Sequence, residues 1–129
     1  MAVKWLDEPQ AHDYAAAADY LTLVAEPKHV DKTIAALRDA KTVYRQAKDI
    51  LRAARLALLP KSNVHVKADL AKIGAGKKLS PILLVRGAAD GSTPLQIADG
   101  YHRVCASYHL NEDTEIPCRL VTLPGSLSD

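Results

Sequence analysis

The sequence predicts an α+β fold, with a small mixed sheet of about four strands, helices packed on it and extra helices at the N-terminus. The apolar runs SPILLVRG, PLQIAD and IPCRLV predict strands, because turn-forming or charged segments bound each of them. Alanine-rich segments, in which apolar residues recur at helical spacing, predict the helices. A chain of 129 residues has room for one hydrophobic core and not for two.

Two helices are predicted near the N-terminus. Residues 9–26 are rich in alanine, with one proline in the expected first turn and another directly after the last. Residues 30–40 form the second helix, for which Asp31 is the expected cap. This pattern makes residues 1–40 a helical extension, whereas residues 41–129 form one compact unit.

Residues 41–59 are compatible with two structures. Five basic residues recur every three or four positions, as along one stripe of a long amphipathic helix: Lys41, Arg45, Lys48, Arg52 and Arg55. The β-formers Thr42, Val43 and Tyr44 favour a strand followed by a short helix instead. Periodicity alone does not decide between these alternatives.

After Pro60 the pattern alternates between helices and strands. The expected elements are a helix at 64–73, strands at 82–85 and 94–99, a helix at 101–110 and a strand at 116–121. The strand at 82–85 is a continuous apolar run, which is typical of burial on both faces. Cys105 and Cys118 are expected in the core, and neither belongs to a Cys-x-x-Cys motif that would indicate zinc.

The net charge of +2 conceals an uneven distribution. Residues 41–78 contain ten basic and two acidic side chains, whereas both flanking segments are acidic. Such a block is typical of a surface that meets a phosphate-bearing partner, or of a solvated lysine-rich face. No apolar run approaches the roughly 20 residues of a membrane span, and the N-terminus lacks the apolar region of a signal peptide. Together with reduced cysteines, this predicts a cytoplasmic protein without a membrane partner.

The stretch DGYHR, from Asp99 to Arg103, places a carboxylate, a glycine, an imidazole and a guanidinium where a strand meets a helix. Gly100 permits a sharp turn and a close approach of the backbone to a ligand. The free N–H groups and the dipole of the following helix favour an anion. Arg103 can grip a phosphate with two hydrogen bonds, and His102 can shuttle a proton near neutral pH. Asp99 either caps the helix or holds a hydrated Mg²⁺, and Tyr101 either flanks a base or sugar or packs in the fold.

Residues 42–122 resemble the ParB/sulfiredoxin superfamily. Partition proteins of the ParB type open a helix with a Gly-x-Arg-Arg box, and sulfiredoxins have a Gly-Cys-His-Arg box at the same place. A free-serine kinase of the superfamily uses Asp-Gly-His-His-Arg, which is similar to the DGYHR box here. The stretch HLNEDTEIPCRLV is similar to the helix and Ile-Pro strand that follow the box in sulfiredoxins.

The resemblance implies a strand at 42–47 and then a short helix, and it implies a nucleotide-phosphate site. Under it, His102 and Arg103 contact the phosphates of a nucleoside triphosphate bound with Mg²⁺, and the helix at 64–73 faces them. His65 and Lys72 occupy positions where sulfiredoxins carry polar contacts. Tyr101 stands at the position of the sulfiredoxin cysteine, so thiol-dependent reduction of a sulfinic acid is not expected.

These observations predict a nucleotide- or phosphate-binding domain that acts as a small phosphotransferase or NTPase, with His102 and Asp99 as catalytic residues. No general base stands out, and Asp49 and Asp69 are the candidates. One alternative is a nucleic-acid-binding protein or ParB-like nuclease, which the basic block favours and the lack of interleaved aromatic residues opposes. Another is a non-catalytic module that binds a protein partner or a second copy of the chain.

Overall fold

The computed structural model describes residues 2–88 and 90–122, and residues 123–129 of the predicted compact unit lie outside this range. Its elements in chain order are β1 (Lys4–Trp5), α1 (Ala11–Leu21), α2 (Pro27–Asp39), β2 (Thr42–Gln46), α3 (Ala47–Ala54), α4 (Val64–Gly74), β3 (Lys78–Leu79), β4 (Ile82–Arg86), β5 (Gln96–Asp99), α5 (Tyr101–Leu110) and β6 (Glu115–Thr122). The predicted α+β class is confirmed.

The main sheet has four strands in the order β2-β6-β4-β5. Strands β2 and β6 are antiparallel, β6 and β4 are parallel, and β4 and β5 are antiparallel, so the predicted mixed sheet is confirmed. Residues Ile82 to Val85 of the interior strand β4 are all buried, as the continuous apolar run predicts. A separate parallel pair joins β1 to β3, and this pair was not predicted, since strands of two residues show no alternation.

Residues 41–59 form a strand followed by a short helix, and the long amphipathic helix is excluded. All five residues of β2, from Thr42 to Gln46, pair with β6, which places the β-forming side chains in the sheet. Helix α3 starts directly after β2 and ends at Arg55, whose φ of 56° is left-handed. The five basic residues therefore do not form one helical stripe, since Arg45 lies on β2 and Lys48 and Arg52 lie on α3, whereas Lys41 precedes β2 and Arg55 is the C-cap of α3.

The N-terminal helices differ from the prediction at their ends. Helix α1 begins and ends inside the predicted range 9–26. Pro27 occupies the first turn of α2, and Glu26 is its N-cap, so Glu26-Pro27 begins a helix instead of closing one. The fixed φ of proline suits a first turn, which explains this start. The expected cap Asp31 lies inside α2, and that prediction is wrong.

Helices cover both faces of the main sheet. Ile82 and Leu84 of β4 pack with α3, α4 and α5, whereas Leu83 and Val85 pack with α1 and α2. Cys105 and Cys118 are buried free thiols, as predicted. Helices α1 and α2 thus bury one face of the sheet. The predicted division into a helical extension at residues 1–40 and a compact unit at residues 41–129 stays a prediction.

Gly100 marks the point where β5 turns into α5. It is the N-cap of α5 and has a φ of 115°, which side chains rarely adopt. A Cβ placed on it would lie 2.4 Å from Cδ1 of Ile82 and 3.0 Å from Nη2 of Arg103. The expected sharp turn is present, and the close approach observed here is to Ile82.

We expect Gly100→Ala to lower the free energy of unfolding by about 2–5 kcal/mol, because it adds backbone strain to a contact without space. Gly74→Ala is the matched control, since a Cβ on Gly74 would meet nothing within 4 Å. This substitution at the end of α4 should stabilise the chain by up to about 1 kcal/mol. Urea unfolding of both variants measures the difference. Equal effects would contradict the packing assigned to Gly100.

Candidate functional site

The first turns of α4 and α5 meet at the candidate site. Asn63 caps α4, since its Oδ1 accepts hydrogen bonds from the backbone N–H groups of His65 at 3.0 Å and Val66 at 3.2 Å. His102 lies in the first turn of α5, and its ring centroid is 4.7 Å from that of His65. Two histidines that the sequence predicts as site residues are therefore neighbours.

The start of α5 has unused backbone donors. Its first intrahelical hydrogen bond runs from the N–H of Val104 to the carbonyl of Gly100, at 3.0 Å. Within the part of the chain that the structure describes, no side chain caps this helix, and the carboxylate of Asp99 accepts a hydrogen bond from Arg103 instead, so the alternative in which Asp99 is the cap is excluded. The N–H groups of residues 101–103 precede the first intrahelical bond and are donors for an anion.

One face of α4 carries three chemically useful side chains. His65, Asp69 and Lys72 follow one another at helical spacing, so they share this face, whereas Lys67 lies on the opposite side. Burial raises the pKa of Asp69, and the positive charges of Arg103, Lys72, His102 and His65 oppose this rise. Asp69 therefore lies among the cationic side chains of both helices and is half-buried there.

His102 is held towards its neutral form. Burial lowers its pKa, the nearby positive groups of His65 and Arg103 lower it further, and Asp69 acts in the opposite direction. A histidine with a pKa below its ordinary value of 6.5 is mostly neutral at pH 7. An anion bound beside it would favour the protonated form, so proton uptake and anion binding are linked at this residue.

Arg103 is engaged inside the protein. Its Nη2 donates to Oδ2 of Asp99 at 3.0 Å and lies 3.9 Å from Oδ1 of Asp13. Its side chain is only 17% exposed, and its buried Nε has no acceptor among the described residues. Burial raises the pKa of Asp99, the guanidinium lowers it and the second carboxylate raises it again. Two carboxylates thus share one guanidinium.

Asp13 is the site residue that the sequence analysis missed. It lies in α1 and is 2% exposed, and its Oδ2 also accepts a hydrogen bond of 2.8 Å from the backbone N–H of Gln10. Asp13 precedes Ala17 by one helical turn, and both are buried. A carboxylate on the apolar face of an alanine-rich helix was the available signal, but it lies outside residues 42–122, which carry the resemblance.

The remaining candidates are placed as follows. The Tyr101 hydroxyl donates to the backbone carbonyl of Ala57, and its ring centroid is 5.7 Å from that of His102. Asp49 pairs with Arg52 on the exposed surface of α3 at 3.1 Å, so of the two candidate bases only Asp69 joins the histidines. Within residues 2–88 and 90–122, no three His, Cys, Asp or Glu side chains come together as metal ligands.

The comparisons with known proteins do not assign the chain to a family. No protein-family model matches the chain, and no curated protein or solved structure gives a significant match. The resemblance to the ParB/sulfiredoxin superfamily therefore rests on the residues quoted for it. In the described part of the chain, no helix is long and apolar enough to cross a membrane.

We expect Asp69→Asn to raise the free energy of unfolding at pH 7. Burial raises the pKa of Asp69 in the folded state above 3.8, so ionisation destabilises the fold at every pH above the raised value. Below pH 3.8 the carboxyl is protonated in both states, and the advantage of the variant should disappear.

Urea unfolding at a series of pH values measures this difference. Asp49→Asn is the matched control on an exposed carboxylate and should change the free energy of unfolding by less than about 0.5 kcal/mol at pH 7. An Asp69→Asn variant that is less stable than the native chain at pH 7 would contradict the burial assigned to this carboxylate.

Proposed function

We propose that the chain is a nucleotide- or phosphate-binding domain of the ParB/sulfiredoxin type, and that the first turns of α4 and α5 hold the phosphates. The observation that carries the proposal is the approach of His65 to His102, at 4.7 Å between ring centroids, beside the uncapped start of α5. Two imidazoles and a row of backbone N–H groups supply the donors that a phosphate needs. The resemblance of the DGYHR box to phosphate-binding boxes supports the same ligand.

Each residue of the site has a distinct part in this proposal. His65, His102 and Lys72 donate to the phosphates, and Gly100 sets the turn from which the N–H groups of α5 point outward. Arg103 adds positive potential, but its guanidinium is already bound to Asp99 in the free protein. We therefore assign Arg103 to positioning the first turn of α5.

The reaction we propose is phosphoryl transfer, by a small phosphotransferase or NTPase. Such chemistry needs positioning and charge neutralisation more than covalent catalysis. Asp69 is the candidate base, because its carboxylate is half-buried and its pKa is raised towards the working range of a base. A Mg²⁺ ion that arrives with a nucleoside triphosphate would neutralise phosphate charge, with phosphate oxygens and water as its main ligands, so that Asp69 stays available as the base.

Nucleic-acid binding is the second candidate function. Lys48, Arg52 and Arg55 line one surface depression beside Tyr108, which is a favourable arrangement for a phosphate backbone. However, Lys48 pairs with Asp113, and Arg52 pairs with Asp49, so two of these three charges are already balanced.

A protein-interaction module, including a homodimer, remains the third alternative. The cytoplasm, which supplies nucleotides and keeps the two thiols reduced, stays the predicted location.

A thermal-shift screen tests the proposal with ATP, ADP, CTP, GTP and a short DNA duplex, each with and without Mg²⁺. Nucleotide bound to the folded state should raise the unfolding midpoint by mass action. Lys72→Gln should weaken nucleotide binding about tenfold, because it removes one charge-assisted hydrogen bond. Lys67→Gln is the matched control, since it removes the same charge from the opposite face of α4 and should leave the affinity within about twofold.

The pH dependence provides a second readout. Because the pKa of His102 is lowered in the free protein and an anion raises it, nucleotide affinity should increase as the pH falls from 8 to 6. His102→Gln should bind more weakly and lose most of this dependence. No response to any nucleotide would overturn the proposal, and a response to DNA alone would favour nucleic-acid binding. Equal losses in the two lysine variants would contradict a local phosphate site on α4.

A further inference from the structure

A second concave site lies where α1 begins, α2 ends and β6 passes beneath them. It encloses about 280 Å³ and is lined by Glu8, Pro9, Ala11, Tyr14, Arg38 and Arg119. None of these residues belongs to the His65–His102 site. Two guanidinium groups and one carboxylate face this pocket, so its wall carries a net positive charge.

Arg119 is buried in the wall with part of its hydrogen-bonding capacity unused. It is 8% exposed, and its Nη1 donates to the carbonyls of Arg38 at 3.2 Å and Ala40 at 2.7 Å, at the C-terminal end of α2. Its buried Nε has no acceptor among the described residues. A buried guanidinium whose charge no carboxylate balances is costly, and the negative charge of an oxyanion in the pocket would reduce that cost.

Neither guanidinium of the pocket is neutralised by a neighbouring acid. Within residues 2–88 and 90–122, no carboxylate lies within 4.0 Å of Arg38 or Arg119 as an ion pair. This distinguishes the pocket from Arg103, which is bound to Asp99. An unneutralised pair of guanidiniums is the arrangement that grips carboxylate and phosphate groups.

The second guanidinium is held in place by an aromatic ring. The Cζ of Arg38 lies 4.4 Å above the ring centroid of Tyr14, which is itself buried. This cation–π contact restricts an otherwise exposed arginine to the side of the pocket. Ala11, the first residue of α1, completes the wall.

We propose that this pocket is an anion-binding site that takes the carboxylate or phosphate group of a small molecule, with Arg119 and Arg38 as its two ligands. The site is independent of the nucleotide site proposed above. Carboxylate and phosphate present the same paired oxygens to a guanidinium fork, so the separate responses to the two ions identify the chemical class.

An NMR titration of ¹⁵N-labelled protein tests the proposal, with inorganic phosphate and acetate as separate probes. The Nε–H signal of Arg119 should shift saturably with at least one of them. The ion with the lower dissociation constant then identifies a phosphate- or a carboxylate-bearing ligand. The test substitutions are made at Arg38 and Glu8 because both side chains are exposed, whereas Arg119 also binds the end of α2.

Arg38→Gln should weaken binding at least about fivefold, because it removes one charged ligand. Glu8→Gln should tighten binding about twofold, because it removes the single negative charge of the wall. His102→Gln should leave the titration at Arg119 unchanged, which separates this site from the nucleotide site. Absence of a saturable shift at Arg119 with both ions would overturn the proposal. Identical dissociation constants in Arg38→Gln, Glu8→Gln and the native chain would also overturn it.

Discussion

The arrangement at the start of α5 depends on the guanidinium of Arg103, which Asp99 and Asp13 share. Arginine stays charged at all working pH values, so a mostly buried guanidinium is costly, and carboxylates around it reduce that cost. Asp99 belongs to β5 and Asp13 to α1, so this interaction joins the N-terminal helix to the sheet and to α5. Nη2 of Arg103 lies 3.0 Å from where a Cβ of Gly100 would stand, and together with the closer Ile82 it leaves this turn without room for a side chain.

Under the proposed function, the side chains left to face the ligand are therefore His65, His102 and Lys72. They offer less fixed charge than an arginine fork, because burial lowers the pKa of His102 and favours its neutral form. Asp69 lies near these side chains, and burial raises its pKa. Under the proposed function, anion binding at this site would be linked to proton uptake by His102.

The sequence predicts the elements that have strong local patterns. The apolar run at Ile82–Val85 predicts a buried strand because both of its faces are covered, and helices α4 and α5 follow from their periodicity. Periodicity could not assign residues 42–46, because the helical spacing of the basic residues competes with the β-forming side chains there. The strand forms because residues 42–46 pair with β6, and local spacing does not contain that pairing. The approach of His65 to His102 followed only from the resemblance. The role of Asp13 depends on a contact between distant parts of the chain, which no local pattern contains.

A double-mutant cycle between Asp13→Asn and Arg103→Gln, followed by urea unfolding, tests the shared guanidinium most directly. Each single substitution should destabilise the fold, because it leaves a buried charge with fewer partners. The two effects should then fail to add, with a coupling free energy of about 1–3 kcal/mol between the two residues. Additive effects, within about 0.5 kcal/mol, would show that Asp13 does not hold Arg103 and would contradict this account of the start of α5.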